Sequence, residues 1–242
     1  MLIRQGVDRD ERIDRRLAMS LAGIAGALNA AAFYAVGFFA ANMTGNVSLL
    51  SDHIALGDWI SGFFYLFVVL VFILGAVVST VAIDAGRSRH LGAIYAYCIL
   101  AEAFLLALLG AADLWLLSTL RAPVLVLGLA FLMGLQNAVV TRISDARVRA
   151  THVSGMATDI GIELGMALDI ARGRVHDAEA AQNRSKLLLH VYTVLAFLIG
   201  GVAGVLVYRI TGGWLLIAAA ALLVAIAFSG IADVRRQRRT GN

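Results

Sequence analysis

The sequence predicts an all-α, polytopic transmembrane helical bundle of about six spans, built as two inverted three-span repeats with short broken or re-entrant helices. Three observations carry this prediction. First, 60% of the 242 residues are hydrophobic and 15% charged, with a single proline, whereas a water-soluble domain carries about 25% charged residues. The mean hydropathy is +0.84. Second, the apolar residues gather into blocks of the roughly 20 residues a helix needs to cross a bilayer. Third, a pattern of small and polar residues in the first half returns in the second.

Residues 1–16 hold five arginines and four acids. They lack the short apolar core and small-residue cleavage site of a secretory signal, so they read as a retained cytoplasmic tail. Spans are expected at Leu17–Ala41, Gly62–Ile83, Leu91–Ala112, Pro123–Ile143, Leu187–Tyr208 and Trp214–Ala232. The first membrane repeat then covers 17–113, the inverted second repeat 121–232, and a basic cytoplasmic tail 233–242. The chain has 19 arginines and one lysine, which lie mostly between the apolar blocks. Arg4, Arg9, Arg12, Arg15 and Arg16, then Arg87 and Arg89, fall on one side of the alternating spans. So do Arg142, Arg147, Arg149, Arg172, Arg174, Arg184 and Lys186, followed by Arg235, Arg236, Arg238 and Arg239. The other side receives only Arg121 and Arg209, near span ends where they can snorkel. The positive-inside rule therefore puts both termini in the cytoplasm.

Gly26-Ala27-Leu28-Asn29-Ala30 recurs as Gly134-Leu135-Gln136-Asn137-Ala138. Each is followed by a hydroxyl-glycine segment, Thr44-Gly45-Asn46-Val47-Ser48 and Ser154-Gly155-Met156-Ala157-Thr158, the second spacing being longer by two residues. Val69 to Val77 then aligns without gaps on Val194 to Val202, with five identities in nine positions that include Phe72 with Phe197 and Gly75 with Gly200. Three spans per half is an odd number, so the second copy is inverted. Inverted repeats with interrupted helices point to a substrate site near the bilayer midplane.

A helix unbroken from Leu17 to Leu50 would reach about 51 Å, well beyond a roughly 30 Å hydrocarbon core. Asn42-Met43-Thr44-Gly45-Asn46 is the expected break, because glycine opens backbone conformations and Asn and Thr can bond freed backbone groups. Val47–Gly57 would follow as a short helix whose N-terminal amides favour an anionic or carbonyl group. In the second half Val153–Ile170 contains no Lys or Arg, and Asp159 and Glu163 share a helical face with His152. Surface-lying amphipathic helices are the alternative for both segments.

Through Asn42-Met43-Thr44-Gly45-Asn46 and Gly134-Leu135-Gln136-Asn137-Ala138, the chain resembles the YoaK-like family of bacterial inner-membrane proteins, a domain of unknown function, over roughly residues 17 to 232. The resemblance implies a six-helix integral membrane protein. Related sequences typically carry aspartate where this one has Asn29, so proton coupling through that position is not expected here.

Glu102 lies near the middle of the third span, where a carboxylate costs about 2.5–3.5 kcal/mol on insertion scales. It should be neutral, paired, or beside a wet cavity. Asn29, Asn137 and Gln136 serve either as interhelical glue worth about 0.6–2 kcal/mol each or at a central interface. Gly75, Gly200 and Gly204 read as packing contacts. His53, Asp52 and Asp58 are explained by solvation and His152 by a bland surface role; Asp84 and Asp233 are expected to pair locally with Arg87 and Arg235. Cys98, the single cysteine, excludes an intramolecular disulfide and reads as core.

The expected function is a small secondary transporter or permease for an unidentified small solute. Its substrate-binding candidates are Asn29, Asn42, Thr44, Gly45, Asn46, Glu102, Asn137, Ser154, Gly155 and Thr158. A non-transporting assembly or regulatory component, and an intramembrane lipid-acting enzyme using Glu102 or Glu163, remain alternatives. No catalytic motif, metal-ligand spacing or cofactor signature is present, and no basic stripe interleaved with aromatics suggests a nucleic acid. The expected partners are the lipid bilayer and the solute; the oligomeric state stays open.

Overall fold

A computed structural model describes residues 11–145, 150–173 and 177–240. The expected tail up to residue 10, together with Arg147, Arg149, Arg174 and the side chains of Arg12, Arg235, Arg236, Arg238 and Arg239, lies outside the described residues. Among the described residues eight helices follow in order: α1 Glu11–Val36, α2 Met43–Ala55, α3 Trp59–Ser88, α4 Ile94–Trp115, α5 Ser118–Ser144, α6 Val153–Ala171, α7 Asp177–Thr211 and α8 Trp214–Thr240. Six of them, all but α2 and α6, are long and apolar enough to cross a membrane. The helices α7 and α8 run beyond the expected spans, α7 starting at Asp177 and α8 continuing to Thr240. The first helix stops earlier than expected, at Val36 rather than Ala41.

The six long helices pack as three cross-half pairs: α1 against α7, α3 against α5, and α4 against α8. Small residues draw the first two pairs together. A Cβ on Gly26 would run into the Phe197 carbonyl, and one on Gly134 would run into that of Phe72. Likewise Gly75 faces the Phe131 carbonyl and Gly200 that of Gly23. These four contacts interchange when α1 is laid on α5 and α3 on α7, so the repeat seen in sequence is also a repeat of contacts. Gly75, Gly200 and Gly204 are thus packing residues, Gly204 lying against Ala27.

The core sits between α1, α4, α5 and α8, around Leu21, Leu28, Ile99, Leu106, Met133 and Leu223. By contrast α3 and α7 are peripheral: only 22% of each span window is buried, against 50–61% for α1, α4 and α5. Their outward rows, such as Leu70, Ile73, Leu74 and Val77 on α3 and Leu195, Leu198, Ile199 and Val202 on α7, suit contact with lipid tails.

The two short helices are set by how the chain turns back. After α1, Gly37 takes φ 71°, a left-handed conformation that costs glycine little. The chain then returns alongside α1, where the Ala41 amide donates to Asn29 Oδ1 at 2.9 Å. From there α2 runs back along the first half of α3, with His53 stacked on Tyr65 and Ile54 against Gly62. Its 13 residues span about 20 Å, too little to cross the core alone. In the second half Asp145 takes φ 53° after α5, and the Thr151 hydroxyl reaches Asn137 Oδ1 at 2.9 Å. The helix α6 then runs back along α7, bonded through Glu163 and His190. Both segments thus fold back into the bundle alongside the long helices. The break is also displaced from its expected place: the reversal occurs at 37–42, and Thr44-Gly45-Asn46 already forms the first turn of α2.

Candidate functional site

The re-entrant segments enter from opposite ends of the bundle and stop against one cavity of about 410 Å³. Five pairs of lining residues occupy equivalent positions: Ala41 with Thr151, Asn42 with His152, Met43 with Val153, Thr44 with Ser154, and Phe72 with Phe197. Phe72 and Phe197 lie near the middle of the apolar stretches of α3 and α7, which sets the cavity at mid-span depth. Burial follows one pattern in both segments: Asn42, Thr44, His152 and Ser154 are exposed beside the cavity, whereas Asn46 and Met156 turn inward and are buried.

The N-termini of α2 and α6 therefore face the cavity. The first amides of a helix have no partner within it, and the macrodipole places partial positive charge there. The α2 end is capped by Asn42, whose Oδ1 accepts from the Gly45 amide at 3.0 Å. At the α6 end the cap residue His152 makes no side-chain cap bond. The lining includes no Asp, Glu, Lys or Arg, so its polarity comes from amides, hydroxyls and one imidazole.

Two asparagines hold the returning chain. Asn29 and Asn137 each use Oδ1 to grip the same position of the re-entrant segment, Ala41 and Thr151 respectively. The Asn137 amide nitrogen turns back to the Met133 carbonyl at 2.8 Å. That of Asn29 has no partner among the described residues, although Asn29 is only 8% exposed and lines the cavity.

Of the residues expected at the site, Asn29, Asn42, Thr44 and Ser154 come together around the cavity. Gly45 and Gly155 sit one position further into the helices. A Cβ on Gly45 would meet the capping Asn42 side chain, which is why the smallest residue stands there. Asn46 faces inward, its Nδ2 3.9 Å from the Met43 sulfur. The Thr158 hydroxyl is bonded to the Ser154 carbonyl at 3.2 Å. Asn137 supports Thr151 from behind. Glu102 does not line the cavity; its Oε1 accepts from Gln136 Nε2 at 2.8 Å between α4 and α5. Its Oε2 and Gln136 Oε1 are buried and have no partner among the described residues.

His152, Thr151, Phe72 and Phe197 were not among the expected site residues. The signal for the two phenylalanines was present, since both are identities in the gapless repeat alignment. Glu163 also lies outside the cavity, with its oxygens 3.0 and 3.2 Å from His190 Nδ1 and its carbonyl accepting from Asn183. Its repeat mate is His53, and Tyr65 is the mate of His190. The seam between short and long helix is thus closed by an aromatic stack in one half and a polar pair in the other.

Three other polar groups fix the ends of the bundle. At the end away from the termini, Asp113 accepts from Arg121 Nε at 2.6 Å and from the Tyr208 hydroxyl at 2.7 Å, while Arg121 Nη2 donates to Tyr208 at 2.9 Å. Arg121 is therefore tied to α4 and α7 rather than simply snorkelling. At the opposite end Asp84 is bonded by Arg142, which joins α3 to α5. Outside the spans, Asp58 caps α3. The Ser61 hydroxyl first, then the Ser61 amide and His53, hold its carboxyl below the ordinary value of 3.8.

A family model described as "Protein of unknown function (DUF1275)" matches residues 17–229, and the chain belongs to that family. No curated protein and no solved structure matches it.

Proposed function

We propose that this member of the DUF1275 family is a small secondary transporter or permease that passes a small solute through the cavity between its inverted halves. One observation carries the reading: two half-helices, entering from opposite ends at equivalent positions, direct their N-termini at a single mid-span cavity. Broken helices of this kind supply solute sites in inverted-repeat transporters, because irregular backbone at membrane depth is tolerated only where it lines a cavity. The basic residues support an inner-membrane orientation with both termini cytoplasmic. Arg15, Arg16, Arg87, Arg142 and Arg172 belong to the end where α1 begins, and Arg121 and Arg209 to the other. The resemblance to YoaK-like bacterial proteins agrees with that placement.

The test is flux into proteoliposomes across a panel of small anions, cations and neutral metabolites, read by solid-supported-membrane current and isotope uptake. A transported solute is expected, with the rate lowered at least tenfold by Thr44→Val and by Ser154→Ala. Flux unchanged in both variants would remove the cavity from the mechanism. A second reading, a non-transporting component that holds a lipid tail or a partner helix, draws on an apolar cleft of about 310 Å³ between α4 and α5, lined by Leu105, Leu108, Val124 and Leu132. It predicts that cysteines at positions 44 and 154 resist water-soluble thiol reagents from both sides.

A further inference from the structure

We infer that the cavity selects a small organic monoanion, a compact acidic group on a short apolar body. This rests on the permease reading for the solute's passage, but the choice of ligand class comes from how the polar atoms at the cavity are already used.

Asn29 is 8% exposed and its Oδ1 is committed to the Ala41 amide. Its Nδ2 has no protein partner among the described residues, and the residue lines the cavity. That donor is not sealed in among the buried unpartnered atoms of the bundle, so it is open to an acceptor that enters the cavity. Asn42 repeats the arrangement, with its Oδ1 committed to the Gly45 amide. In both side chains the oxygen is already bonded to a backbone amide and the NH2 group is the part without a protein partner among the described residues. The hydroxyls of Thr44 and Ser154 can donate as well, and the α6 N-terminus offers its first amides without a side-chain cap. No carboxylate lines the cavity to balance a cation.

Two helix N-termini together present the equivalent of about one elementary positive charge. One negative charge on the solute matches that. Besides the Thr151 hydroxyl and the His152 imidazole, the rest of the wall is apolar and aromatic, contributed chiefly by Phe39, Met43, Phe72 and Phe197, and suits a short hydrocarbon portion rather than a second charge.

The test compares binding of three matched probes to the purified full-length protein in detergent: sodium butyrate, butyramide and butylammonium chloride, by isothermal titration. Butyrate is expected to bind at least tenfold more tightly than either isostere. Thr44→Val and Ser154→Ala should each weaken it about tenfold, as expected for a lost hydrogen bond to a charged group. Gly161→Ala, on α6 away from the cavity, should leave it unchanged. Asn29→Asp, which keeps an acceptor for the Ala41 amide, should reverse the preference toward butylammonium. Binding of butyramide or butylammonium by the unsubstituted protein as tight as that of butyrate, or no binding of any probe, would overturn the inference. Selective butyrate binding without flux in proteoliposomes would uphold the ligand class and overturn the permease reading. Flux of a neutral solute or cation with no anion preference would do the reverse.

Discussion

Replacing Gly26 by alanine tests the packing that brings the two halves together. The new Cβ would fall inside the van der Waals envelope of the Phe197 carbonyl oxygen, and a main-chain oxygen cannot rotate away as a side chain can. The helices α1 and α7 must part, by roughly 1 Å, and a gap of that size forfeits a quarter to a half of the dispersion attraction along the seam. Overpacking of this kind costs about 1–3 kcal/mol, and the rigid obstacle argues for the upper part of that range. Alanine's better helix propensity returns about 0.5–1 kcal/mol, leaving a net loss of about 2 kcal/mol. By the repeat of contacts, Gly134→Ala, Gly75→Ala and Gly200→Ala should behave alike. Gly161→Ala and Gly165→Ala, whose Cβ would meet nothing within 4 Å, should instead stabilise the protein. Unfolding of each purified variant by denaturant titration, followed by tryptophan fluorescence, measures the difference. A Gly26→Ala variant as stable as the parent, or Gly161→Ala as damaging as Gly26→Ala, would refute the reasoning.

Further expectations concern the polar clusters. Asp113→Ala removes the acceptor of both Arg121 and Tyr208; since Arg121 is 38% exposed and reaches solvent, the cost should be about 1–3 kcal/mol rather than that of a fully buried pair, read by the same titration. Glu102→Gln lets the two amides at this contact exchange both bonds and satisfy Gln136 Oε1, so it should match or exceed the parent's stability, whereas Glu102→Ala should lose about 1–3 kcal/mol. The depressed Asp58 carboxyl stabilises the α2–α3 connection in its charged form. That contribution is complete above the ordinary value of 3.8 and is lost as pH falls through the lower value in the folded protein. The protection factor of the Ser61 amide, taken against its intrinsic exchange rate, should fall over that acid range, and that fall should be absent in Asp58→Asn.

The long helices were legible because hydropathy measures what they need: apolar blocks of spanning length. The repeat was legible because cross-half contacts through Gly75 and Gly200 admit so few residue types. The break was misplaced because the eye goes to Thr44-Gly45-Asn46, whose polarity suggests an interruption, whereas the reversal falls in Gly37-Phe38-Phe39-Ala40-Ala41. Those residues are apolar, and only the φ of Gly37 marks the turn. Glu102 was grouped with the cavity because depth alone was available from sequence. Its partner Gln136 adjoins Asn137 yet points to a different neighbour, since adjacent residues on a helix lie on different faces. Proximity along the chain points from Asp84 to Arg87, whereas the Arg142 contact exists only through the pairing of α3 with α5, which a local reading cannot see.

The cross-half pairing also constrains how the protein can be made. The first helix finds its main partner in the seventh and the third in the fifth, so the N-terminal half leaves the ribosome before either mate has been synthesised. Its glycine seams stay open in the bilayer until the later helices arrive, and closure of the bundle is a late step that depends on contacts distant in sequence. The two halves expressed as separate chains should therefore be stable only when they are present together, which co-expression and pull-down would check.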